Sequence, residues 1–422
     1  MYRKNGMKIK FPPVIVLFLL SLVNIEIFGG IFHAGPNYQL KNLESALKII
    51  SPYDTVIIHQ GKYFSNNIIV NKPVVIIGLG RAVLDGLGKN QIMFIKSDDV
   101  IIENMTFINS GISFIDDNAA IKLDSVSNCK VINNFFEDNF FAIYLARTSN
   151  STVSGNIIKA KNKKESYSGN GIHLWYSKNV EISDNRITGH RDGIYLEFVR
   201  SSNITNNLSW KNLRYGLHFM FSDSCSYSGN VFQNNGAGVA VMFTRRVEMF
   251  NNKFENNWGG AAYGVLLKEI FDSNIYNNYF YKNSNGLYME GCNRINIKNN
   301  DFVENGWAIR LMANSMDNNF TANNFSGNSF DVSTNNIKNF NTFSGNYWSE
   351  YNGYDLNKDG IGDIPFRPVS LFSLITEQNR SSLVLLRSMF VELLNTAEKI
   401  FPVLTPETLI DNSPNIKKIN HD

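Results

Sequence analysis

The chain has 422 residues, with Lys+Arg 40 against Asp+Glu 37 and a net charge of +3. That near balance, spread without long basic runs, excludes nucleic acid as the implied partner. The length admits one large all-β domain or two or three smaller units.

At the N-terminus Arg3, Lys4, Lys8 and Lys10 surround the start of an apolar stretch from Phe11 to Val23, and small residues follow at Gly29 and Gly30. This is the pattern of a secretory signal over residues 1–30, with an apolar segment too short to span a bilayer. An uncleaved anchor is the alternative; no cysteine stands near the site to carry a lipid. Next, "YQLKNLESALKII" from Tyr38 sets Leu40, Leu43, Ala46, Leu47 and Ile50 at helical spacing. Such a helix can cover the open end of a repeat array.

From residue 120 onward the chain repeats itself. A small residue followed by apolar residues at offsets one and three recurs as "AIKL", "AIYL", "GIHL", "GIYL", "GLHF", "GVAV", "GVLL", "GLYM" and "AIRL", beginning at Ala120, Ala142, Gly171, Gly193, Gly216, Gly238, Gly264, Gly286 and Ala308. An asparagine keeps step at 134, 156, 185, 207, 230, 252, 278, 300, 324 and 346. Units of about 22 residues hold three short alternating segments and no helix, which predicts one coil each of an all-β, right-handed parallel β-helix. Asparagine suits this position because it tolerates a left-handed turn and its amides can bond from coil to coil. Longer units insert loops at "KAKNKKESYSG" and around "WGGAAYG".

The repeat stops near "GNYWSEYNGYDLNKDGIGDIPF". Within it Asp355, Asn357, Asp359 and Asp363 alternate around glycines, as in calcium loops, although Phe366 stands where a closing Glu would complete an EF-hand. A Ca²⁺ loop and a plain Asp/Gly turn both fit. Residues 381–401 then show helical periodicity through Leu383, Leu386, Phe390, Leu393, Leu394 and Ala397, as a cap or as a docking element. The expected division is a β-helix with its cap over 31–366 and a helical docking tail over 367–422.

Strand alternation turns offsets one and three inward and leaves offsets two and four outward. From Gly171 onward the outward cells are His173/Trp175, Tyr195/Glu197, His218/Met220, Ala240/Met242, Leu266/Lys268, Tyr288/Glu290 and Arg310/Met312. Chance would place about 0.4 Met and 0.2 His there, so three Met and two His mark this face. Coils stack about 4.8 Å apart, which sets Met220 against Met242 with His218 beside it. Two thioethers and an imidazole form a soft donor set that selects Cu(I). His173 lies two coils from His218, so it can only be a second waypoint or a neighbour to a partner's ligand. The plainer alternative is a packing surface under a loop or a partner. Met249 and Met289 have inward parity. Cys129, Cys225 and Cys292 lie several coils apart, too far for disulfides, and read as structural thiols.

The runs "GIHLWYSKNVEISDNRITGHRDGIYLEF", "GLHFMFSDSCSYSGN", "GVAVMFTRRVEMFNNKF" and the closing "GNYWSEYNGYDLNKDGIGDIPF" resemble the NosD family of periplasmic β-helix proteins that serve nitrous oxide reductase maturation. The resemblance implies a non-enzymatic copper-handling scaffold. It would receive copper, transiently and as Cu(I), from a copper-chaperone lipoprotein, and would dock on an ABC transporter permease/ATPase through its C-terminal tail. It would thereby sit at the inner membrane and support assembly of the copper-sulfur site of nitrous oxide reductase. Copper handling then falls to His218, Met220 and Met242, with His173, and docking to the region after Phe366. Two other classes compete. A polysaccharide lyase or epimerase acting on uronate polymers would draw on Asp192, His190, Tyr195 and Glu197, where Met is an odd lining. A passive adhesin would show no metal affinity.

Overall fold

The computed structural model describes residues 29–113, 115–161, 164–335, 339–401, 405 and 409–421. The leader reading of residues 1–30 therefore lies, except for Gly29 and Gly30, outside the described residues.

The coil at 181 shows how the repeat is built: strands Glu181–Ser183, Arg186–Thr188 and Asp192–Glu197 follow one another with single turns between them. Each pairs in parallel with its equivalent one coil on, as in Glu181↔Asn203, Arg186↔Leu208 and Ile194↔Leu217. One column of strands forms a separate twelve-stranded sheet running in chain order from Ile68–Val70 to Phe330–Ser333. The other two columns merge into a 25-stranded sheet, because the long strand Val74–Asp85 pairs with both Ile101–Glu103 and Thr106–Ile108. The result is a parallel β-solenoid of about 14 turns. Its inward side chains pack into one continuous core. Along it runs a stack of Phe232, Phe254, Phe280, Phe302, Phe325 and Trp348, with successive centroids 4.1–5.7 Å apart.

The asparagine column is a buried hydrogen-bonded ladder. At each step one Asn donates its backbone N–H and its Nδ2 to Oδ1 of the next, at 2.8–3.2 Å, from Asn134 through Asn156 to Asn346. The member after Asn300 is Asn323, not Asn324. Asn324 begins the next strand and binds Ile419 and His421 instead. The left-handed backbone also falls one place earlier than expected, on Asn133, Gly155, Asp184, Asn206, Gly229 and their equivalents, with φ of 53–67°. These residues make the turn, and the column Asn behind each one can then aim inward. A second ladder runs five residues later through Asn212, Asn235, Asn257, Asn283, Asn305 and Asn328.

The N-terminal cap is α1, Leu43–Ile49, which starts later than Tyr38 because Asn42 and Ser45 close a capping box at its first turn. Leu43, Ala46 and Ile50 join the core. At the other end the helical segment is two helices, α2 (Leu371–Gln378) and α3 (Met389–Ile400), with a 3₁₀ turn at Arg380–Leu385. Ser388 caps α3 and so divides what the periodicity suggested was continuous. They lie on the outer side of the last strands of the twelve-stranded sheet. There Phe372 and Val391 pack with Trp307 and Phe330, and buried Arg310 holds Glu377 by two bonds of 2.7–2.8 Å.

The region after 366 is not wholly a helical tail. Residues 409–421 return to the solenoid, pairing Phe343↔Asp411 and Tyr347↔Asn415. Asp411 accepts from Asn346 N, Asn346 Nδ2 and Trp348 Nε1 at 2.9–3.1 Å, standing where an eleventh asparagine would.

Removing one rung tests the ladder. Asn252→Ala strands Asn230 N, takes one of the acceptors of Asn230 Nδ2 and removes the side-chain donor to Tyr227 O; it should cost about 2–4 kcal/mol, read as a lower urea midpoint. A change under about 0.5 kcal/mol would show that the rungs are not load sharing.

Candidate functional site

The outward face of the twelve-stranded sheet carries two columns. One runs Tyr144, His173, Tyr195, His218, Ala240, Leu266, Tyr288 and Arg310, and the other Trp175, Glu197, Met220, Met242, Lys268 and Glu290. The register places Met220 directly opposite Met242 and Tyr195 between His173 and His218. Met312 lies at the covered end of this face and is buried.

The face is not bare, as alternation alone suggests. His173 is 8% exposed and His218 5%, while Met220 and Met242 are half-buried. Large side chains on adjacent coils cover one another. The His173 ring sits 4.6–5.3 Å from the rings of Phe141, Tyr144 and Tyr195, and His218 is 4.7 and 4.9 Å from Tyr195 and Tyr215. Met249 and Met289 are core, as their parity requires.

His218 has a carboxylate at its back. Asp192, fully buried, is clamped by Arg214 through two bonds of 2.9 and 2.5 Å, and its Oδ2 lies 3.5 Å from His218 Nδ1. Burial would raise the Asp192 pKa, but Arg214 and His218 outweigh it and bring it down to about 2. Neither ring nitrogen of His218 has a hydrogen-bond partner, nor does Nε2 of His173. Buried nitrogens without partners are costly to hold, and a metal ion is one group that would satisfy them. A carboxylate behind an imidazole is also the usual way to orient such a ligand. Glu197 stands directly against Met220, with burial raising its pKa. Asp192, Arg214 and Glu197 escaped the sequence reading as members of this site. Glu197 was recoverable as the outward cell one coil before Met220.

Next to the methionine column, Tyr176, Phe198, Phe221 and Phe243 occupy successive left-handed turns at φ 48–55°. Their rings stack at 4.6–5.1 Å with interplanar angles of 8–23°. The middle rings spend their faces on one another and offer only edges, so this ridge is not a platform for sugar stacking.

His190 takes the place of an asparagine in the second ladder, receives no partner on either ring nitrogen, and is fully buried. The three thiols are buried and free, and burial pushes them up to about 11 for Cys129 and about 12 for Cys225 and Cys292. In the Asp/Gly loop the carboxylates are used on the loop's own backbone. Asp355 accepts from Asp359 and Gly360, Asp359 from Ile361, and Asp363 from Leu356. Asn357 bonds Asp359. Among the described residues no three His, Cys, Asp or Glu side chains converge as a metal group.

The class defined so far is a parallel β-solenoid with a lateral face of imidazole and thioether donors. Two solved β-solenoid enzymes share its fold. A GH87 α-1,3-glucanase from Streptomyces thermodiastaticus strain HF3-3 is 11% identical, with TM-score 0.55 over 73% of this chain and 62% of that one. A Yersinia enterocolitica family 28 exopolygalacturonase is 10% identical, with TM-score 0.52 over 75% and 78%. At such identity the likeness concerns fold alone. Residues 159–353 match the family described as "Periplasmic copper-binding protein (NosD)", and they include His173, His218, Met220 and Met242. The likeness to the NosD family therefore rests on this central stretch of the chain. The "Probable ABC transporter binding protein NosD" of Stutzerimonas stutzeri is 34% identical over 73 residues, a stretch that covers 17% of each chain.

Burial pushes His173 down to about 3 and His190 to about 4, from an ordinary 6.5. Both folded values lie below the unfolded one. Stability from these groups is therefore complete above about pH 6.5 and lost as pH falls toward 4 and 3. Replacing His190 by asparagine, the residue its ladder position calls for, should remove about 1.4 kcal/mol per pH unit of that slope between pH 6 and 4. Urea melts across this range check it.

Proposed function

We propose that this protein is a periplasmic copper-handling scaffold in which His218, Met220 and Met242 hold Cu(I) in transit, with His173 a second waypoint. The observation that carries the reading is the in-register pair Met220↔Met242 next to the His218 imidazole, whose buried Nε2 has no hydrogen-bond partner. Thioether and imidazole donors suit Cu(I) over hard cations. The contacts of His218 lie toward the Tyr215 end of its strand.

The same reading assigns the route. A copper-chaperone lipoprotein delivers the ion, an ABC transporter at the inner membrane holds the scaffold, and the cargo serves the copper-sulfur site of nitrous oxide reductase. The family match over residues 159–353 and the relatives' description as transporter binding proteins support this. So does α3, whose inward residues Val391 and Leu394 pack on the solenoid while Met389, Phe390 and Leu393 stand 75%, 56% and 59% exposed. Among the described residues no helix is long and apolar enough to cross a membrane.

Anaerobic Cu(I) titration against a chromogenic chelator tests the site. Wild type should withhold about one equivalent, and the combined His218→Ala, Met220→Ala, Met242→Ala variant none, with unchanged circular dichroism. Equal titration would make the face a packing surface, and turnover of uronate polymers by the purified protein would establish the lyase or epimerase reading instead.

Docking is tested without truncation, since removing residues 370–422 also removes Asp411. Met389→Ser, Phe390→Ser and Leu393→Ser together should abolish co-purification with the transporter and leave the melting temperature within about 2 °C. Full retention of the transporter would place the contact elsewhere.

A further inference from the structure

Two histidines outside this face meet at the N-terminal end of the solenoid. His33 lies on the strand Ile31–Ala34, which pairs in parallel with Asp54–Phe64 in the register His33↔Ile57. His59 follows two residues further along the second strand, and His33 Nδ1 stands 2.8 Å from its Nε2. The chain then folds back through Gly35, whose N–H donates to Leu40 O. This sets the Tyr38 ring over both imidazoles, with centroids 4.1 Å from His59 and 5.6 Å from His33. The close turn depends on glycine, since a Cβ at Gly35 would come within 3.0 Å of His59 Cβ. Tyr63 fixes the backbone below by donating its hydroxyl to His59 O at 2.7 Å.

We infer that His33 and His59 form a divalent-metal site with a preference for Cu(II). Metal–imidazole bonds of about 2.0–2.1 Å at right angles put two nitrogens about 2.8–3.0 Å apart. A tetrahedral Zn²⁺ site would separate them by about 3.3 Å, and a linear Cu(I) site by about 4 Å. The observed 2.8 Å is the hydrogen bond between the two rings; turning them out of it would aim both lone pairs at one ion, and imidazole donors hold Cu²⁺ more tightly than the other first-row divalent ions. The pair is exposed, and water can fill the remaining positions. No thioether is offered, which separates this site chemically from the Met220/Met242 pair. The two regions lie about six coils apart, roughly 29 Å along the axis, and this inference does not depend on the Cu(I) reading.

The test uses the whole chain and one equivalent of Cu(II), supplied as its glycine complex, with electron paramagnetic resonance as readout. Wild type should give an axial signal with hyperfine structure from two imidazole nitrogens. His33→Ala and His59→Ala should each weaken binding at least tenfold and leave a single-nitrogen signal. The His218/Met220/Met242 variant should bind as wild type does. Because His33 is exposed, its replacement leaves the fold intact, and circular dichroism verifies this for both. A two-nitrogen signal that survives His33→Ala, or a wild-type spectrum with one nitrogen, would overturn the assignment, as would a preference for Zn²⁺ in direct competition.

Discussion

Every rung of the first asparagine ladder ties three coils together. Asn252 accepts from Asn230 on one side, donates to Asn278 on the other, and returns its second amide proton to Tyr227 O. A buried amide away from this arrangement would leave unpaired groups, so each coil's turn must fall in phase with its neighbours. That requirement fixes the register of all three strand columns, and register alone brings Met220 to Met242. Insertions are tolerated only where they leave the phase intact. The segments holding Glu165–Tyr167 and Trp258 add length between rungs without breaking Asn156 to Asn185 or Asn252 to Asn278.

The donor face inherits its chemistry from the same geometry. Side chains repeated at one coil spacing lie in contact distance, so a column can be aromatic, charged or soft over a few coils and change character beyond them. Tyr195 between His173 and His218 is a consequence: the two imidazoles share a neighbour but do not meet. Tall neighbours on adjacent coils bury both, and this leaves their nitrogens without the water an outward position would have supplied.

Much of the solenoid was legible because two periodic signals ran in phase and strand parity is a local property. The inward cells Leu217, Phe219, Met249 and Met289 fell where parity put them. The miss at Asn324 had a physical cause. In "NN" either residue satisfies the spacing, and only the preceding left-handed residue, Ala322, reveals that Asn323 is the rung. The second ladder was equally readable, five residues behind the first, but His190 and Lys161 interrupt it. The pairing of Asp192 with Arg214 and the return of residues 409–421 were out of reach, since both depend on contacts across coils or from a distant segment that no local pattern announces.

The last rung gives the ladder a sense of direction. Each amide points its nitrogen toward the C-terminal coil and its oxygen back, so the small dipoles add along the axis as they do in a helix. The positive end of that sum falls at Asn346, and Asp411 places a carboxylate against it. A carboxylate has no proton to pass on. An asparagine there would have presented a free amide to the next molecule and invited the solenoid to continue end to end, whereas Asp411 neutralises the accumulated dipole and makes the series finite.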